Sequence, residues 1–183
     1  QTIIGHFSNP LKKVRNTKTQ FFQLDENDRT ILQRNIPDSI KADSPIIVTL
    51  HGLGGSSESA YNIRITQKLN NLGYEVLRFN HRGCGPNARK LAKEIFHAGQ
   101  IDDIYKTLEL LKNEDPNRGV LLVGFSLSAN ALLMMLGKKE FAQTLPSVSG
   151  ALAICPPVDL WKCSNALGEK GNGYLDYYYT KKL

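Results

Sequence analysis

The run Val120-Leu121-Leu122-Val123-Gly124-Phe125-Ser126-Leu127-Ser128-Ala129-Asn130-Ala131-Leu132-Leu133 constrains the fold more than any other stretch of the chain. An apolar, β-branched and leucine-rich segment ends in Gly-x-Ser-x-Ser, and a helix-forming segment follows without a break. That order reads as a strand, a sharp turn and a helix, with Ser126 at the apex. On such a turn the helix start passes close to the strand, so the residues two before and two after the serine must be small. Here they are Gly124 and Ser128. The turn lifts Ser126 clear of the sheet and is expected to hold it at a positive φ. A Gly-x-Ser-x-small match alone is common; the flanking strand and helix are what give this one weight.

Two further strand exits carry motifs. Residues 45–50, Pro-Ile-Ile-Val-Thr-Leu, read as a buried strand that runs into His51-Gly52-Leu53-Gly54-Gly55-Ser56-Ser57-Glu58. A glycine-rich turn after a strand exposes backbone N–H groups, which can stabilise the oxyanion of an acyl-transfer transition state. In loops of this kind the donor is the residue after the His-Gly pair, here Leu53, and its partner is the residue after the nucleophile, here Leu127. Both N–H groups are expected to point at one site beside the Ser126 hydroxyl. The third motif, Asn80-His81-Arg82-Gly83-Cys84-Gly85, follows a strand over 74–80.

Taken together, His-Gly-x-Gly-Gly, Asn-x-Arg-Gly-Cys and Gly-x-Ser-x-x-Ala-Asn resemble the α/β-hydrolase superfamily and, within it, the YheT-like group of esterases. Gln1-Thr2-Ile3-Ile4-Gly5-His6-Phe7, His97-Ala98-Gly99-Gln100-Ile101-Asp102-Asp103 and Pro156-Pro157-Val158-Asp159-Leu160 are similar to further stretches of that group. The likeness covers essentially all 183 residues. Ser128 departs from it, since the group has glycine there. The resemblance implies an α/β-hydrolase fold: a mostly parallel sheet flanked by helices. It also implies a serine esterase that needs no metal or organic cofactor.

Periodicity fills in the layout. Short strands over 19–24 and 30–36 are joined through Asp25-Glu26-Asn27-Asp28 as a hairpin. Residues 57–72 are helical and stop at Gly73. Ile101, Ile104, Tyr105, Leu108 and Leu111 fall at helical spacing, with His97 at the opening of that segment. Residues 127–136 form the helix behind the turn, and 148–155 form a sixth strand. Strands alternating with helices give a parallel sheet with right-handed crossovers.

The net charge of +6 includes Lys12, Lys13, Arg15 and Lys18 near the start and Lys181 and Lys182 near the end. No nucleic-acid motif accompanies them, so nucleic acid is not an expected partner. No run of 18 apolar residues is present. The three cysteines, Cys84, Cys155 and Cys163, are odd in number and lack a C-x-x-C pair. That pattern fits a reducing, cytoplasmic setting rather than a disulfide scaffold. Cys155 is expected in the core. Cys84 lies in a turn with no adjacent base.

A serine hydroxyl needs a base to take its proton, and the base needs an acid to orient it. The superfamily order is serine, acid, histidine. His6, His51, His81 and His97 all precede Ser126; Asp159 and Asp176 follow it but precede the strands that carry the acid and base. The expectation is therefore an N-terminal piece of a larger fold. Residues 1–160 would be core and 161–183, with Trp161, Leu167, Tyr174, Leu175, Tyr178 and Leu183, the start of a cap. The triad histidine and aspartate would lie beyond this chain. By itself the piece would be inactive, with an unfinished sheet that associates with its C-terminal portion or with a second copy. The expected substrate is a small-molecule or lipid ester. Two rival readings stand beside esterase chemistry: a non-catalytic binding module of the same fold, and acyl transfer from the same nucleophile.

Overall fold

The computed structural model of the chain describes residues 14–144, 148–169 and 171–182. Its elements in chain order are β1 (Thr17–Gln23), β2 (Arg29–Asn35), β3 (Ile46–Leu50), α1 (Ala60–Asn71), β4 (Val76–Phe79), α2 (Ala88–Leu91), α3 (Asp102–Glu114), β5 (Val120–Phe125), α4 (Leu127–Gly137), α5 (Lys139–Thr144), β6 (Val148–Ile154), α6 (Leu160–Gly168) and α7 (Gly173–Lys182). One six-stranded sheet results, ordered β1-β2-β4-β3-β5-β6. β1, β2 and β4 pair antiparallel, whereas β3 runs parallel to both β4 and β5, and β5 parallel to β6.

The alternation of side chains along a strand assigns the two faces. Ile46, Val48 and Leu50 of β3 point to a core shared with Ile104, Leu108 and Leu111 of α3 and Ala131, Leu132 and Met135 of α4. Ile47, Val76 and Val123 point the other way, toward Leu69 of α1. Handedness explains this division. The crossover β3–α1–β4 moves one way along the sheet, and β4–α3–β5 and β5–α4–β6 move the other. Right-handed connections then place α1 on one face and α3 and α4 on the opposite face. The chain leaving β3 turns away from the chain leaving β5, although the two strands are neighbours with Leu50 beside Gly124. In an open α/β sheet, the crevice at such a switch point is where ligands bind.

The hairpin, the helix over the 101–111 spacing and the stop at Gly73 (φ 83°) match the sequence expectations. Two expectations need correction. His97 does not open a helix: α3 begins at Asp102, and His97 is exposed in a turn closed by Gln100 N–H donating to its carbonyl at 3.0 Å. Cys155 is not in the core. It follows β6, whose outer edge has no strand partner among the described residues, and it is exposed. Leu152 of that strand is 53% exposed. The N-terminal stretch through Phe7, His6, Lys12, Lys13 and Leu183 lies outside the described residues.

The Asn80–Gly85 motif is structural. Asn80 Nδ2 donates to Ile31 O and Ser57 Oγ, both at 2.9 Å, and its Oδ1 accepts from Ser57 N at 2.7 Å. Arg82 is held by Asp103 through two bonds, 2.8 and 2.7 Å, and also meets Asp25, Asp28 and Glu94 at 2.9, 3.2 and 2.8 Å. Cys84 is half-buried, and burial pushes its thiol up to about 11, so it stays protonated. Among the described residues no helix is long and apolar enough to cross a membrane.

Candidate active site at the β3 and β5 exits

Ser126 sits between the last residue of β5 and the first of α4, with φ 52° and ψ −119°. For a residue with a Cβ this is a strained conformation, costing on the order of 1–3 kcal/mol, and it persists only where the surroundings over-determine it. They do so here. Ser126 N–H donates to Ile154 O at 2.9 Å, and its carbonyl accepts from Ala129 N (2.9 Å) and Asn130 N (3.2 Å), which starts the helix. The side chain itself is exposed. Gly124 is required by close approach: a Cβ there would lie 2.9 Å from Ser128 O and 3.0 Å from Ala129 N, both backbone atoms that cannot yield.

The turn after β3 lies directly against this apex. A Cβ on Gly52 would come within 3.0 Å of Ser126 Cβ and 3.3 Å of Phe125 O, so a larger residue would push the turn and the apex apart. Gly55 N–H donates to Gly52 O at 3.0 Å, closing a turn with Gly54 at φ 64°. Most backbone donors of this turn already have an acceptor. Gly52 N–H goes to Tyr61 Oη (3.0 Å), Ser56 N–H to Ser59 Oγ (2.9 Å), Ser57 N–H to Asn80 Oδ1 (2.7 Å), Glu58 N–H to Ser56 Oγ (3.1 Å) and Ser59 N–H to Ser56 O (3.0 Å). Among the described residues, that leaves Leu53 and Gly54 N–H without an acceptor between Gly52 and Ser59. Leu127, as the first residue of α4, has no intrahelical acceptor for its N–H.

Behind the turn is a buried network that sequence reasoning did not foresee. His81 N–H donates to His51 Nε2 at 3.2 Å. His51 Nδ1 lies 2.8 Å from Gly52 O, and since a carbonyl only accepts, Nδ1 carries the proton. Ser128 Oγ–H donates to His51 O, and His81 Nε2, 2.7 Å from Ser128 Oγ, must then donate to it. His81 stacks on Phe96 with centroids 3.6 Å apart. No periodicity flags Tyr61 or Ser128 for these tasks; their partners are brought to them only by the packing of three loops.

Both rings are fully buried. Burial pushes His51 down to about 4, and burial, then the neighbouring His51, pushes His81 well below its usual value. Both are therefore neutral near pH 7. The folded state resists protonation while the unfolded state takes up protons below about 6.5. This contribution to stability is complete above that pH and lost as pH falls toward 4. The melting temperature is expected to decline between pH 7 and pH 5, with the His51 ring resonances staying at neutral positions down to pH 5. Titration of His51 near 6.5 would contradict the network.

A family model described as the alpha/beta hydrolase fold matches residues 45–172. The medium-chain fatty acid ethyl ester synthase/esterase 2 of Saccharomyces cerevisiae is 29% identical over 139 residues, 75% of this chain and 30% of that protein. The YheT protein of Escherichia coli is 31% identical over 139 residues, 76% of this chain and 39% of that protein. The monoacylglycerol lipase of Saccharomyces cerevisiae is 29% identical over 130 residues, 68% of this chain and 28% of that protein. The chain thus spans well under half the length of these curated relatives. Among solved structures, an esterase of Pyrococcus furiosus superposes with a TM-score of 0.66 at 21% identity, covering 94% of this chain and 67% of that one. With this likeness on top of the sheet order and the apex at Ser126, the chain belongs to the α/β-hydrolase family, and YheT is among its relatives.

Proposed function

We propose that these residues are the N-terminal part of a serine hydrolase that cleaves carboxylic esters through an acyl-enzyme on Ser126. The observation that carries this reading is an exposed serine at φ 52°, beside a turn whose Leu53 N–H is unspent. Ser126 Oγ attacks the ester carbonyl as its proton passes to a histidine. The N–H groups of Leu53 and Leu127 hold the oxyanion, the alcohol leaves with the histidine's proton, and water then releases the acid. The histidine and its aspartate come from sequence outside these 183 residues. His51 and His81 support that assignment, because both are buried and tied into the network described above. Asp159 caps α6, accepting from Lys162 N at 2.9 Å. Residues 161–183 are read as the start of a cap over the site, and 1–160 as core. The rest of the full-length protein, or a second copy of the chain, would continue the sheet beyond β6. The names of the relatives, a fatty acid ethyl ester synthase/esterase and a monoacylglycerol lipase, point to an ester with an apolar acyl chain. Three free cysteines fit a cytoplasmic setting.

The test is labelling with a fluorophosphonate, followed by peptide mapping. The full-length protein is expected to carry the adduct on Ser126, and the 183-residue piece alone to carry none. An adduct on another residue, or efficient labelling of the piece, would overturn the assignment. A second reading, acyl transfer to an alcohol, is favoured by the synthase activity in one relative's name. Product partition between acid and ester in the presence of ethanol separates the two.

A further inference from the structure

We propose that Ser128 is a positioning residue of the oxyanion turn, aiming the Leu53 N–H by clamping the peptide that precedes it. This rests on the reading of Ser126 and Leu53 given above. Ser128 is completely buried, with its backbone oxygen close against Gly124. Its hydroxyl therefore exists among atoms that must satisfy it. It donates to the carbonyl of His51, and it accepts from His81 Nε2–H at 2.7 Å.

Peptide planarity carries the consequence to the site. The unit joining His51 to Gly52 is held at both ends, its oxygen by Ser128 and its N–H by Tyr61 Oη at 3.0 Å. The next unit joins Gly52 to Leu53. Its oxygen accepts from His51 Nδ1–H at 2.8 Å and from Gly55 N–H at 3.0 Å. In a trans peptide the N–H points opposite to the carbonyl, so fixing that oxygen fixes the direction of Leu53 N–H. In the neutral His51 ring Nδ1–H is the donor, and the bare Nε2 accepts His81 N–H, 3.2 Å away. Ser128 thus links α4, which follows the nucleophile, to both loops that face it. A glycine there would leave the His51 carbonyl and His81 Nε2–H without this partner.

The full-length Ser128→Ala protein tests this, with rates counted per active site titrated by fluorophosphonate. Removing a direct oxyanion donor costs about 100- to 1000-fold; a group acting through that donor's aim should cost on the order of 10-fold. The expected result is a fall of that size in kcat and in affinity for an alkylboronic acid, whose adduct places a charged oxygen in the hole. KM for a p-nitrophenyl ester should stay within about twofold, as expected when the lost interaction belongs to the transition state. Thr107→Ala is the matched control. It deletes another buried hydroxyl, bonded to Asp103 O at 2.9 Å, and should lower the melting temperature without weakening boronate binding. If Ser128→Ala does not fold, Ser128→Gly decides. Wild-type kcat per site and wild-type boronate affinity in the folded variant would overturn the proposal while leaving Ser126 in place. Full turnover by Ser126→Ala would remove both.

Discussion

Replacing Ser126 by alanine in the full-length protein is expected to lower ester turnover by a factor on the order of 10⁴ or more, with no adduct formed by a fluorophosphonate. What survives is the contribution of binding and of the oxyanion donors. Folding should be almost unaffected. The side chain is exposed, and alanine at φ 52° carries the same backbone strain as serine. Steady-state kinetics with a small activated ester, alongside thermal melting, checks both parts. A variant that keeps most of its activity would remove Ser126 from the mechanism.

Arg82→Met carries the largest expected effect on stability. The guanidinium is 4% exposed and is the ion-pair partner of Asp103 and Asp28, whose side chains are 0% and 2% exposed. Breaking a buried pair by removing one partner costs about 3–5 kcal/mol, because the other charge is left buried without compensation. Asp25 and Glu94 add less, at 39% and 68% exposure. The carboxyl of Asp25 is held down at about 2, first by the backbone N–H groups of Asn27 and Asp28 and also by Arg82. Asp28 keeps bonds from Lys93 N and Glu94 N, so Asp103 bears most of the loss. Denaturant melts of the full-length protein should show the drop, and adding Asp103→Leu should recover a good part of it. A single-mutant loss under about 1 kcal/mol would show that these carboxylates are solvated after the change.

The strand-and-helix order was legible because each element carries its own periodicity. Ile104, Leu108 and Leu111 recur at helical spacing and are all buried in α3; Val120 to Val123 form an apolar run in β5. The apex was legible because Gly124-x-Ser126-x-Ser128 is a steric requirement written within five residues. Cys155 was misread for the opposite reason. An apolar run says that a strand wants cover, but cover comes from a neighbouring strand or helix, and β6 has none on its outer edge among the described residues. His97 was misread because a pattern of identities says nothing about where the first helical hydrogen bond closes, which is at Ile101 and Asp102.

Local sequence alone determined the strand–turn–helix at Ser126, the glycine turn at Gly52–Gly55 and the alternation that makes the sheet mostly parallel. These depend on sterics and spacing between residues close in the chain. Tertiary structure decided which donors remain free. Tyr61 takes the Gly52 N–H, Ser128 holds the His51 carbonyl from 77 residues away, and His81 locks the His51 ring from 30 residues away. Hydrogen bonds between buried groups are directional and each donor can be used once, so which N–H is left for a substrate emerges only when three distant loops are packed together.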